Sequence, residues 1–192
     1  MRAPERRLQL LESAAQLIVD EGVDAVTMER VALVARVSKP VVYAHFANAE
    51  EVVAAVAARE GERLDAQVFQ RLSTATTFEQ RLDALMAPYL DAFLEPGSLF
   101  RPLALHRGDG SRSDGNRTQG VLLFLAEEIL REFDIRRRDA GLAAAALYGA
   151  FETISMYTLV TGGRRADLDR VMKAIVVGGL AELTRRQPPR RR

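Results

Sequence analysis

Residues 27–46 read TMERVALVARVSKPVVYAHF, two short segments with an inward apolar pattern joined by a turn, and their layout decides the fold. Thr27 stands where a helix N-cap would, with Arg30 at the third helical position, where it cannot complete a capping box. Val31, Ala32 and Ala35 give the first segment a small apolar inner face through which a neighbouring helix can approach. Val37 would plug the turn. Ser38 reads as a second N-cap, and Pro40 falls in the first turn behind it, where its missing N–H is harmless. This segment ends near Phe46, because Asn48 reads as the cap of a long helix opening at Ala49, Glu50 and Glu51. Two helices crossing through a short turn, the second laying its N-terminal side chains on base edges, form a helix-turn-helix. Ser38, Lys39, Val41 and Tyr43 lie on or near the outer face, and Phe46 belongs to the core.

On the N-terminal side, Leu10, Leu11, Ala14, Leu17 and Ile18 recur at three- and four-residue spacing, the stripe of an amphipathic helix ending at Glu21-Gly22. On the C-terminal side the periodicity predicts helices over 49–72, 78–94, 99–106, 117–133, 137–161 and 167–186, with Pro88 kinking the second of these. No segment alternates with period two, so no sheet is expected. The stretch 108–115 is poor in apolar residues and reads as a mobile loop; the basic tail 187–192 reads as disordered.

Composition agrees. Alanine, arginine and leucine dominate, tryptophan is absent and aromatics make up 6% of the 192 residues, a lean towards helix. The chain has no cysteine, which excludes disulfides and thiol chemistry and suits a reducing cytoplasm. No apolar run reaches the about 18 residues that a spanning helix needs. Net charge is +1, and in residues 1–47 Arg2, Arg6, Arg7, Arg30, Arg36 and Lys39 are matched by Glu5, Glu12, Asp20, Glu21, Asp24 and Glu29. A nucleic-acid contact must therefore rest on where the charges are placed.

The string TMERVALVARVSKPVVYAHFANAEEVVAAV, preceded by LLESAAQLIVDEGVDAV, resembles the N-terminal module of the TetR family of bacterial repressors. The threonine opening the second helix, the Val-Ser turn and the Tyr-x-His-Phe close carry the likeness over about 45 contiguous residues. The resemblance implies that Thr27, Ser38, Tyr43 and His45 hold phosphates while Lys39, Pro40 and Val41 lie over the groove. That chemistry is sound, since hydroxyls donate to phosphate oxygens, lysine reaches guanine acceptors or a phosphate, and valine meets a thymine methyl. Arg36 would add attraction that weakens with salt. Two positions depart from the pattern: Arg36 replaces the usual turn glycine, and Ala49 replaces a lysine that often opens the fourth helix.

In the C-terminal two-thirds, Gly141, Ala143 to Ala146, Gly149, Ala150 and Gly178-Gly179 let helices pack closely, either within one subunit or as a two-fold bundle of the last two helices. Candidates to line an effector cavity are Met86, Tyr89, Phe93, Phe100, Phe124, Tyr148, Glu152 and Met156, mostly apolar with one acid that needs a partner.

The expectation is an all-α chain of about nine helices. A helix-turn-helix DNA-binding domain takes residues 1–47, an effector-binding and dimerisation domain takes 48–186, and a tail follows. Its partners would be a palindromic operator, a second copy and an unknown small-molecule effector. No cofactor, metal or membrane is expected. An all-helical enzyme has little to work with, since His45 and His106 are the only histidines. A helical interaction protein with a vestigial helix-turn-helix remains as the alternative.

Overall fold

The computed structural model describes residues 2–106, 115–162 and 164–185; the expected loop at 108–115 lies outside them apart from its last residue, and the expected tail lies outside them altogether. The described residues form helices α1 (Ala3–Glu21), α2 (Met28–Val34), α3 (Lys39–Tyr43), α4 (Ala49–Leu72), α5 (Phe78–Leu94), α6 (Phe100–His106), α7 (Gly115–Glu132), α8 (Arg137–Thr161) and α9 (Arg165–Arg185), with a single 3-10 turn at Val23–Ala25 and no strand. The chain divides into two compact units, one drawn from Met1–Gln70 and Pro88–Gly110, the other from Arg71–Ala87 and Ser111–Arg192. The first unit thus runs past residue 47 and takes in most of α4, the end of α5 and α6. Pro88 sits inside α5 without ending it.

The first unit is built on the α1 stripe, since Leu10, Leu11, Ala14, Leu17 and Ile18 are all buried. Val31 of α2, Val42 of α3, Phe46 and Val52 of α4 close over it, and Leu103 of α6 joins the same cluster. Side chains of this size each contribute about 1.5–3 kcal/mol when fully buried. The Arg7 guanidinium lies 4.8 Å from the Phe46 ring centroid, capping the core edge with a cation over an aromatic face.

In the second unit α7 and α8 pack along one another, α9 packs on α8, and α9 buries Leu168, Met172, Val176 and Leu180, one side of that helix. Phe78 and Phe133 meet edge-on at 5.2 Å. Glu128 is buried at 3% exposure, which would be expensive for a lone carboxylate, and is held by Arg81 on one oxygen and by Arg131 on the other at 2.6 Å. α8 ends at Gly162, whose φ of 69° makes it a left-handed cap.

Candidate nucleic-acid interface

The turn between α2 and α3 is held by bonds at both of its ends. Thr27 caps α2, its hydroxyl oxygen accepting the Arg30 N–H at 3.1 Å. α2 is closed by paired backbone bonds, Arg36 N–H to the Leu33 carbonyl at 3.1 Å and Val37 N–H to the Ala32 carbonyl at 2.9 Å. That is a Schellman closure, which places its C′ residue in the left-handed region. The residue is Arg36, with φ 55°, the one non-glycine among the described residues at positive φ. Of the two options that the missing turn glycine leaves open, an awkward backbone angle or an altered turn, the chain takes the angle.

Ser38 occupies the N-cap position of α3 with extended backbone (φ −78°, ψ 151°), but its hydroxyl makes no cap bond. The reason is local: Pro40 has no N–H to offer, and the Val41 N–H is taken by the Ser38 carbonyl at 3.0 Å. The hydroxyl is left without a cap bond, on an exposed residue. Beyond it, Val42 is fully buried and Phe46 nearly so, fixing the inner side of α3. Tyr43 is 53% exposed, so it is a surface residue and not a core aromatic. Thr27, Arg36, Ser38, Lys39 and Pro40 are exposed, and Val41 and His45 are half-buried. Asn48 caps α4, its side-chain oxygen accepting the Glu51 N–H at 2.8 Å, as expected.

All eight residues proposed from sequence for DNA therefore belong to one short stretch of the first unit and reach its surface. Two features escaped the sequence. Gln9 of α1 donates its side-chain amide to the Ala35 carbonyl at 3.0 Å and accepts from Arg6 at 2.7 Å, bracing the turn from the first helix. Lys39 is ion-paired to Glu29 of α2 at 2.6 Å, and the hydrogen bond from its ammonium holds the Glu29 carboxyl below its ordinary value of 4.5.

Residues 10–56, the stretch just described, match the family model of bacterial regulatory proteins of the tetR family. That stretch carries the N-terminal module of the family. It is 43% identical over 94 residues to the HTH-type transcriptional activator FasR of Mycolicibacterium smegmatis, a match that takes in 49% of this chain and 42% of FasR. The chain thus spans under half the length of that curated relative. The whole chain has the TetR fold. It superposes on a TetR-family transcriptional regulator from Streptomyces coelicolor with a TM-score of 0.73 at 19% identity, covering 94% of this chain and 97% of the other. It superposes on AibR, solved in complex with isovaleryl coenzyme A and operator DNA, with a TM-score of 0.62 at 22% identity, covering 93% and 98%.

The effector candidates fall into two groups. Tyr89, Phe93 and Phe100 cluster in the first unit, with Phe100 edge-on to Tyr89 at 5.7 Å and to Phe93 at 6.5 Å, and the Tyr89 hydroxyl donates to Asp65. Met86, Phe124, Tyr148, Glu152 and Met156 belong to the second unit. There the first three are half-buried, while Glu152 and Met156 stand on the exposed side of α8. A polar groove of about 380 Å³ in the second unit, with Arg71, Glu79, Asp83 and Lys173 in its walls, is lined by none of the eight.

Proposed function

We propose that the chain is a cytoplasmic, dimeric DNA-binding regulator that occupies a palindromic operator and is released by a small-molecule effector, acting as a repressor. The observation that carries the reading is the two-sided character of α3: Val42 is sealed in the core while Ser38, Lys39 and Pro40 at its start and Tyr43 at its end are exposed. A helix anchored in this way can enter a major groove without unfolding its support. Thr27, Ser38, Tyr43 and His45 would hold phosphates, and Lys39, Pro40 and Val41 would face base edges.

Pairing of two copies is supported by the second unit. Leu142, Met156 and Val160 of α8 follow one helical face and are exposed, with Tyr157 beside them, and so are Val171 and Ile175 of α9. A Cβ added at Gly149, Gly178 or Gly179 would meet nothing within 4 Å, so the subunit itself makes no use of their smallness. A second copy seated on this face would use it, and would give Glu152 a setting in which to find a partner. The small-molecule part of the reading draws on AibR, solved with isovaleryl coenzyme A and operator DNA, whose fold this chain shares.

The reading is tested by selecting bound sites from random duplex DNA. A palindrome bound by one dimer is expected, with Tyr43→Ala lowering affinity at least tenfold while the circular dichroism spectrum is unchanged. Affinity unaffected by Tyr43→Ala would favour a helical interaction protein instead. The 43% identical relative is named an activator, which favours a second reading in which the same dimer stimulates transcription from an upstream site. A reporter carrying the selected palindrome separates the two by the sign of the response.

A further inference from the structure

The charges of the first unit are sorted. Arg2 is paired with Glu5, Arg30 with Glu21, Arg59 with Glu12 and Lys39 with Glu29. Among the described residues no carboxylate pairs with Arg6, Arg7 or Arg36. The Arg6 guanidinium rests on Gln9 and that of Arg7 on the Phe46 ring. Lys39, the one cation among the candidate base-reading residues, is therefore neutralised before DNA arrives, whereas Arg36 beside it is not.

The Lys39–Glu29 pair joins the first residue of α3 to the first turn of α2, and both side chains are more than half exposed. In water such a pair is weak and easily exchanged. Against a duplex it acts differently. A phosphate gains nothing from a neutral pair, and taking Lys39 for itself would leave the Glu29 carboxylate unpaired in a field of negative charge. A guanine edge, which offers two acceptors and no net charge, can receive the Lys39 ammonium while Glu29 keeps its contact. Resting on the DNA-binding reading above, we infer that Glu29 is a specificity-determining residue, which withholds Lys39 from the sequence-independent attraction to phosphates and reserves it for a base edge.

The experiment is a salt titration of binding to the selected palindrome and to an unrelated duplex of equal length, for wild type, Glu29→Gln, Lys39→Met and the double variant. Lys39→Met alone should weaken the palindrome about tenfold or more, well beyond its effect on unrelated DNA, which loses only through the now unpaired Glu29 carboxylate. Glu29→Gln should tighten unrelated DNA several-fold and steepen its slope by about one, the contribution of one released counterion. Adding Lys39→Met to Glu29→Gln should remove both gains. Simple loss of an acid near DNA would leave those gains in the double variant, and that result overturns the inference. An unchanged slope in Glu29→Gln also overturns it. Wild-type protein that shows no salt-dependent binding to either duplex would sink the regulator reading, and this inference with it, whereas normal wild-type binding with an inert Glu29 sinks this inference alone.

Discussion

The side-chain amide of Gln9 is hydrogen-bonded at 3.0 Å to the main-chain carbonyl of Ala35, so the first helix holds the end of the second directly before the turn. Ala35 is itself buried. Gln9→Leu removes the donor and leaves the carbonyl short of a partner, which typically costs about 1–3 kcal/mol. Urea unfolding should show a lower midpoint with an unchanged m-value. Amide exchange at Arg36 and Val37 should rise more than at Val42; uniform exchange across the unit would show that Gln9 does not brace the turn.

Arg36 separates folding from binding. Its left-handed backbone is unfavourable for a side chain bearing a Cβ, by about 1–2 kcal/mol, and glycine adopts it freely. Glycine also loses more chain entropy on folding, which offsets part of that relief. Arg36→Gly is therefore expected to keep or raise the thermal midpoint while lowering the salt slope of DNA binding by about one. Reduced stability together with unchanged affinity would reverse both assignments.

Much of this was legible in the sequence because local rules agree with one another there. Asn48 before Ala49, Gly162 after Thr161 and the 3.6-residue stripe of α1 each signal a boundary or a face through nearest-neighbour chemistry. Ser38 shows where such rules stop, since the residue stands at the cap position, yet Pro40 withdraws the N–H that its hydroxyl would accept. α7 begins at Gly115 and α9 at Arg165, two residues earlier than the apolar pattern starts, because polar residues can extend a helix that packing has already established. Contacts between distant residues left no mark. Neither Gln9 with Ala35 nor Arg81 with Glu128 has a spacing that a single chain can be read for. The effector candidates scattered for the same reason: aromatic residues on successive helices carry no label for which unit they serve.

The Glu29 carboxyl gives a direct readout of its pair. Its folded value lies below 4.5 because Lys39 donates to the ionised form. A group lowered in this way adds stability above its unfolded value and loses that contribution as pH falls through the folded one, so the window lies below about pH 4.5. Carbonyl NMR of Glu29 should give a midpoint below the ordinary value in wild type and a return towards it in Lys39→Met. Equal midpoints in the two proteins would mean that the pair does not persist in solution.

Val160 is 77% exposed and Ile175 55% exposed, so charge placed there is harmless to a lone subunit. Val160→Glu and Ile175→Glu are each expected to keep the helical spectrum and to give a monomer by sedimentation at micromolar concentration. The operator should then be bound at least a hundredfold more weakly. A monomeric wild type, or variants that remain paired, would exclude this face as the contact.

Because Tyr157, Val160 and Ile175 stand open in the single chain, pairing of the proposed dimer would add its own free energy to subunits that also fold singly. The melting temperature would then climb with protein concentration, and, while the pair is the main folded form, every tenfold dilution would remove about 1.4 kcal/mol from its apparent stability. In a cell that makes few copies, such a regulator would be governed by its own abundance as well as by its ligand.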